Sequence, residues 1–143
     1  SECLEIGRAK IVNENDSKIV IFSFGNTFGL AEEIANELNA SLVDMRFIKP
    51  LDENLIERFA NKCDHIISIE ENTISGGAGS AVNEFLSSIG FANKLKIVGI
   101  PDEFPIVGDQ ADQREAAGLT KIKILQNLSE ELNLEKIYKK VSA

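Results

Sequence analysis

Short apolar runs rich in β-branched residues alternate along the chain with amphipathic helical segments, and this alternation constrains the fold most. Residues 19–24 form an apolar run typical of a strand buried on both faces, and residues 25–27 are expected to end it and to supply an N-cap. Leu30, Ile34 and Leu38 then recur every four residues, as on the inner face of a helix. Strands separated by helices require crossover connections. The pattern therefore predicts a three-layer α/β/α fold with a mostly parallel sheet.

The same strand-and-helix unit recurs toward the C-terminus. Residues 41–46 and 65–70 have strand-like composition, and Asp52 stands where it can cap the helix between them. Glycines within residues 76–79 open a further helix, and Gly90 is expected to close that helix at the C′ position. The repetition of the unit predicts helices on both faces of the sheet.

The ends of the chain show weaker patterns. Residues 4–12 mix apolar and charged side chains, which predicts an edge strand, and residues 95–100 form the last strand. A short helix is expected over residues 109–117, where Gly118 would end it, and a second helix is expected from Thr120 onward.

The length of the chain predicts one domain. A chain of 143 residues has the size of an ordinary domain and can bury most of its apolar surface. No linker-like or low-complexity stretch interrupts it. We therefore expect a single domain over residues 1–143, with a linker and edge strand in residues 1–18 and a C-terminal tail in residues 134–143.

The charge of the chain disfavours two classes of partner. Lys and Arg total 15 against 23 Asp and Glu, which gives a formal net charge of −8. Nucleic acid and anionic membrane surfaces would be repelled by this field, so neither is expected as a partner. The simplest interpretation of the negative surface is solubility.

The cysteine content predicts a reducing compartment. Cys3 and Cys63 are too far apart in sequence to suggest a disulfide framework or a zinc site, which favours a cytoplasmic location. No charged and then apolar leader opens the sequence, and no apolar run approaches the length of a membrane span. No membrane segment is therefore expected.

A glycine-rich turn is the most suggestive local feature. It follows a strand and precedes a helix, at the edge of the sheet where ligands of such folds gather. Free amides of the first helical turn favour an anion or nucleotide, although the turn lacks the Gly-x-Gly-x-x-Gly pattern and the Lys of a phosphate loop. Alternatively, the turn packs the helix tightly against its strand or against a partner subunit. The interface or anion-binding candidates are Glu70, Glu71, Gly76, Gly77, Gly79, Ser80 and Arg46.

No set of residues forms a self-sufficient active site. Glu70 and Glu71 are adjacent in a predicted strand, so their carboxylates should point to opposite faces, and either could pair with a basic group such as Arg46. His65 has no acid or nucleophile at a recognisable spacing, and Ser80 lacks the Gly-x-Ser-x-Gly elbow. No group of His, Cys, Asp and Glu has the spacing of metal ligands. We therefore expect neither catalytic nor metal-binding residues in this chain.

Four stretches resemble one enzyme family in order and in spacing. Residues 44–52 match the segment D-x-R-F-x-K-P-L-D, and residues 99–104 match G-x-P-D-x-F. Residues 69–71 with residues 76–80 resemble the EE…GGFGS turn shared by transketolases and the β subunits of 2-oxo acid dehydrogenases. Residues 4–9 resemble the linker strand into the last domain. The chain thus resembles the C-terminal third of 1-deoxy-D-xylulose-5-phosphate synthases, which belong to the transketolase group.

The resemblance implies a fold and an activity for the intact protein. The family fold has a five-stranded mixed sheet whose first strand is antiparallel. The implied reaction condenses pyruvate with glyceraldehyde 3-phosphate and releases CO2, and its product feeds the synthesis of isoprenoid, thiamine and pyridoxal precursors. Thiamine diphosphate and Mg²⁺ bind between the N-terminal and central domains of the family, in a homodimer, and this chain has no positions that match those residues. The resemblance thus implies a scaffold domain that is inactive alone.

Two other functions stay open at this level. The first is the equivalent domain of a transketolase or of a 2-oxo acid dehydrogenase β subunit, because the glycine turn is shared among these enzymes. The second is a regulatory module that binds an anion or nucleotide at that turn.

Overall fold

The computed structural model describes residues 5–71, 77–100 and 110–133, with side chains described outside residues 110–117. The chain divides into two compact units, Ser1–Ile100 and Pro101–Ala143. The first unit contains the sheet, and the second contains one described helix. The expectation of a single domain over the whole chain stays a prediction.

The first unit is built on a five-stranded mixed sheet. Its strands are β1 (Lys10–Asn13), β2 (Ile19–Ser23), β3 (Ser41–Asp44), β4 (His65–Glu71) and β5 (Leu95–Ile100). They lie in the order β1-β3-β2-β4-β5. Strand β1 pairs with β3 in antiparallel fashion, and every other pair is parallel. The mixed sheet with an antiparallel first strand is confirmed.

Helices cover both faces of this sheet. Helix α1 (Phe28–Leu38) joins β2 to β3, α2 (Glu53–Lys62) joins β3 to β4, and α3 (Ala78–Ser88) joins β4 to β5. The first crossover runs in the opposite direction across the sheet from the other two. Since such crossovers are right-handed, α1 lies on one face and α2 and α3 on the other, which confirms the α/β/α class.

The main core cluster lies between the sheet and helices α2 and α3. Phe22 of β2 and Phe59 of α2 are both fully buried, and their rings meet edge to face with centroids 6.2 Å apart. Ile56, Val82 and Leu86 belong to the same cluster. Burial of each such side chain contributes about 1.5–3 kcal/mol, so this cluster fixes α2 and α3 on the sheet.

The caps predicted at Asp52 and Gly90 are present. Leu55 N donates to Asp52 Oδ1 (3.2 Å) at the start of α2, and Asp52 Oδ2 also accepts from Ala9 N (2.8 Å). Gly90 has φ of 84° just after the C-cap of α3, as a C′ glycine requires. The predicted N-cap at the start of α1 is wrong, because the Thr27 hydroxyl donates to Phe24 O (2.9 Å) instead of accepting from a helix amide.

Two predicted strands are shorter in the structure. The described part of residues 4–12 forms a turn before β1 begins at Lys10, because Gly7 has a left-handed backbone with φ of 77°. The strand predicted over residues 41–46 ends at Asp44, since Arg46 has φ of 60°, which is incompatible with extended backbone.

The described part of the second unit is one long helix, α4 (Gln110–Glu131). The predicted break at Gly118 is wrong, because this residue lies inside the helix without a positive φ. A glycine within a helix costs about 1 kcal/mol relative to alanine, which does not terminate a helix of 22 residues. The predicted cap at residue 109 lies outside the described residues. No helix in the described ranges is long and apolar enough to span a membrane.

Candidate functional site

The predicted site residues gather at the carboxyl edge of the sheet, defined here as residues 23–27, 44–46, 70–71 and 77–80. These residues follow the ends of β2, β3 and β4 and include the start of α3. Parallel strands meet at this edge, so the residues that follow them are close in space although they are distant in sequence. Of the candidates, Gly76 lies outside the described residues. The structure places the others as follows.

Glu70 binds the N-terminus of α3. Gly79 N donates to Glu70 Oε2 (3.0 Å), which places a carboxylate against the first turn of that helix. This position is the one that an external anion would occupy, because helix N-termini favour negative charge. The carboxylate of the chain itself therefore holds this amide, and a second anion there would be repelled.

Gly79 is required for the close packing of α3 on the sheet. A Cβ atom at this position would lie 2.6 Å from Glu70 Oε1 and 2.7 Å from Ile97 Cγ2. Both distances are shorter than van der Waals contact allows, so only glycine fits without rearrangement. Gly77 precedes the helix and its carbonyl accepts from Ala81 N (3.0 Å), while Ser80 is exposed. This geometry supports the packing interpretation of the glycine turn.

Glu71 binds a different helix from its neighbour. Asn26 N donates to Glu71 Oε1 (2.7 Å) in the short 3₁₀ turn Gly25–Thr27 that leads into α1. Helices α1 and α3 lie on opposite faces of the sheet. The two adjacent carboxylates thus point apart, as strand alternation predicts, and they do not converge on one substrate.

Arg46 stands apart from both glutamates. Its amide donates to Asp44 Oδ1 (3.3 Å), and its partly buried side chain has no ion pair within residues 5–71, 77–100 and 118–133. The suggested pairing with Glu70 or Glu71 is wrong. Strand β2 lies between β3 and β4, which puts the ends of those two strands about 10 Å apart.

A buried hydroxyl network joins β2 to β4 and was not predicted from the sequence. Ser23 Oγ and Thr27 Oγ1 are 3.0 Å apart, and Thr27 Oγ1 also lies within hydrogen-bond distance of Phe24 O and Ile69 O. Phe24 N donates to Ile69 O (3.0 Å) beside them. The available signal was a serine and a threonine four residues apart around a strand end. This network links the ends of β2 and β4 next to the turn that Glu71 binds.

Comparison with known proteins identifies the family. A family model described as "Transketolase, C-terminal domain" matches residues 7–124. The chain belongs to the transketolase C-terminal domain family.

Two curated relatives of this transketolase C-terminal domain carry the same enzyme name. The 1-deoxy-D-xylulose-5-phosphate synthase of Pseudoalteromonas translucida is 44% identical over 132 residues, which cover 92% of this chain and 21% of the relative. The synthase of Actinobacillus pleuropneumoniae serotype 5b is 39% identical over the same shares of both chains. The chain spans about a fifth of the length of these curated relatives.

A solved structure shares the fold of the domain. It is titled "Split gene transketolase, inactive beta4 tetramer", and it superposes with a TM-score of 0.62 at 28% sequence identity. The match covers 80% of this chain and 40% of that one.

The described residues of this transketolase C-terminal domain do not fit a metal–diphosphate cofactor. No group of three His, Cys, Asp or Glu side chains among them lies close enough to hold a metal ion. At the glycine turn, the start of α3 already binds the Glu70 carboxylate.

Cys63 is not a candidate nucleophile. It is fully buried, and burial raises the pKa of its thiol, so the neutral thiol is favoured over a nucleophilic thiolate.

Proposed function

We propose that this chain is the C-terminal domain of a 1-deoxy-D-xylulose-5-phosphate synthase and acts in it as a structural and interface domain. The observation that carries the proposal is identity of 39–44% over 132 residues with synthases of that name. The intact enzyme would condense pyruvate with glyceraldehyde 3-phosphate and release CO2. Its product would serve the synthesis of isoprenoid, thiamine and pyridoxal precursors.

Thiamine diphosphate and Mg²⁺ would bind in the part of the enzyme outside this chain. Two features of the domain support this assignment. The amide of Gly79 is held by an internal carboxylate, which disfavours a diphosphate at the glycine turn. The described residues also bring no set of metal ligands together. The domain would therefore contribute no group to the chemical step.

The partners of the domain would be the N-terminal and central domains of the same enzyme, within a homodimer. We assign the contact with them to the carboxyl edge, which includes the candidates Glu70, Glu71, Gly77, Gly79, Ser80 and Arg46. Support comes from the exposed turn at Gly25 and Asn26 and from the partly buried cation of Arg46 beside it. A cytoplasmic location stays a prediction.

The equivalent domain of a transketolase is the second candidate. It is favoured by the structural similarity to a split-gene transketolase whose title describes an inactive tetramer. A regulatory site for an anion at the glycine turn is disfavoured by the position of Glu70.

The proposal predicts that this domain ends a longer protein, and it is tested with that longer protein. Purified with thiamine diphosphate and Mg²⁺, it should form 1-deoxy-D-xylulose 5-phosphate and CO2 from pyruvate and glyceraldehyde 3-phosphate. The 143-residue chain should give no turnover under the same conditions. Two-carbon transfer between sugar phosphates by the longer protein would establish the transketolase instead. Turnover by the 143-residue chain alone would refute the role as an interface domain.

A further inference from the structure

Arg46 has a backbone conformation that its residue type disfavours. Its φ of 60° lies in the left-handed region, where a Cβ atom crowds the following carbonyl. Within the described part of the chain, the other residues with positive φ are of the two types that tolerate it, glycine and asparagine: Gly7, Gly25, Gly90, Asn39 and Asn133. A long charged side chain at this position is therefore not explained by the local fold.

The side chain of Arg46 also lacks the partner that the other described arginines have. Arg8 Nε lies 3.3 Å from Glu5 Oε2, and Arg58 contacts Glu14 through two nitrogens at 2.8 and 2.9 Å. Arg46 is partly buried, yet no carboxylate among the described residues pairs with it. The carboxylate of Asp44 accepts from the backbone of Arg46 and forms no ion pair with its side chain. A partly buried guanidinium is stabilised by a charged hydrogen-bond partner, and the described residues do not supply one for Arg46.

Arg46 lies at the carboxyl edge, where a partner that contacts this edge would meet it. It follows the end of β3, next to the turn after β2, where Gly25 and Asn26 are exposed. The chain as a whole carries a charge of −8, so a partner surface with carboxylates is repelled on average and is attracted only near local cations such as Arg46. Such a cation fixes the orientation of docking.

We propose that Arg46 docks an Asp or Glu carboxylate of the polypeptide that adjoins this domain in the longer protein. This inference rests on the proposed function, because synthases of that name are more than four times the length of this chain, whose matched residues cover 21% of the relative. The left-handed conformation turns the backbone out of the path of β3 at this residue. A docking role, and not stability of the domain, accounts for an arginine where glycine fits the backbone better.

The test compares Arg46→Gly and Arg46→Lys in two proteins, the 143-residue chain and the longer protein. In the short chain, Arg46→Gly should leave the midpoint of thermal unfolding unchanged or raise it by up to about 4 °C, because the backbone strain is relieved. In the longer protein, the same change should lower the midpoint of this domain by about 2–4 °C or more, because docking is lost. Arg46→Lys keeps the charge and should restore part of that loss.

Asn39→Gly is the matched control, since Asn39 also has a left-handed backbone, with φ of 53°, but lies at the end of α1. It should not lower the midpoint in either protein. An equal loss in both proteins on Arg46→Gly would overturn the inference in favour of a purely structural arginine. No loss in the longer protein would overturn it as well. The measurement needs no turnover, so a longer protein without synthase activity refutes the proposed function and leaves this result independent.

Discussion

The two edges of the sheet treat their charges differently. At the amino edge, defined here as residues 14–18, 60–64 and 94, the cations are bound within the chain. Glu14 accepts from Arg58 and from Lys62 (3.0 Å), and Lys94 Nζ donates to two carbonyls at the end of α2 at 2.7 and 2.8 Å. Cations at a helix C-terminus are also stabilised by the partial negative charge of that end of the helix dipole. These cations of the amino edge are therefore paired within this chain.

At the carboxyl edge, the two glutamates are bound within the chain, whereas Arg46 has no carboxylate partner among the described residues. Glu70 and Glu71 hold the amides of two helices. This difference is what our proposal explains by a second surface that completes the carboxyl edge.

The largest effect is expected from Phe59→Ala, which removes an aromatic ring from the core between α2 and the sheet. The Phe59 ring is fully buried against Phe22, and the Arg58 guanidinium lies 4.6 Å from its centroid. Loss of the ring should lower the free energy of unfolding by about 3–5 kcal/mol, measured by urea denaturation. Phe91→Ala is the control, because Phe91 is only partly buried and should cost less. If both variants lowered the free energy of unfolding equally, the fully buried Phe59 ring would be no more important to stability than a partly buried one.

Gly79→Ala should disturb the carboxyl edge next. The added methyl group would overlap Glu70 and Ile97, and the free energy of unfolding should fall by about 1–3 kcal/mol. Gly29→Ala is the matched control, because Gly29 lies in α1 with open space around it. That change should stabilise the protein by up to about 1 kcal/mol. Similar signs for both variants in denaturation would contradict the packing role of Gly79.

Glu70→Ala should have a smaller effect. It removes the acceptor at the start of α3, which is comparable to the loss of an N-cap and should cost about 1 kcal/mol. Glu84→Ala removes an exposed carboxylate from the middle of the same helix and should change the stability little. Thermal unfolding of the two variants would distinguish a specific contact from a general effect of charge. If Glu84→Ala lowers the stability as much as Glu70→Ala does, the hydrogen bond between Glu70 and the Gly79 amide is not the cause of the loss.

The smallest effect is expected from acid titration of the amino edge. Hydrogen bonds from Arg58 and then Lys62 lower the pKa of Glu14 from 4.5 to about 2. Because the folded pKa is depressed, this stabilisation is present above pH 4.5 and is lost as the pH falls toward 2. The pair is largely solvent-exposed, so its size should not exceed about 1 kcal/mol. Glu14→Gln should remove this part of the pH dependence of urea unfolding, and an unchanged profile would contradict it.

The sequence predicted the elements whose signals are local. The apolar stripe of α1, the cap at Asp52 and the C′ glycine at Gly90 each depend on neighbouring residues, and all three are present. Thr27 shows where local signals fail to predict a contact. Its position allows its hydroxyl to cap α1, but the hydroxyl bonds to backbone carbonyls near β2 and β4 instead. That choice depends on strand pairing, which a local pattern does not contain.

The candidate site was harder to predict than the fold. Strand alternation was enough to separate the carboxylates of Glu70 and Glu71, but not to show that each binds a helix amide across the edge of the sheet. The left-handed backbone of Arg46 was also hidden, because arginine gives no local signal for positive φ. These contacts arise between residues up to 45 positions apart and need the folded sheet.

Amide hydrogen exchange of the 143-residue chain alone and within the longer protein tests the contrast between the edges most directly. Exchange reports local opening and coverage by a partner, segment by segment. The account predicts added protection in the longer protein at residues 25–27, 44–47 and 70–71 of the carboxyl edge. It predicts no change at residues 14–18 and 60–64 of the amino edge. Protection at the amino edge, with none at the carboxyl edge, would contradict it.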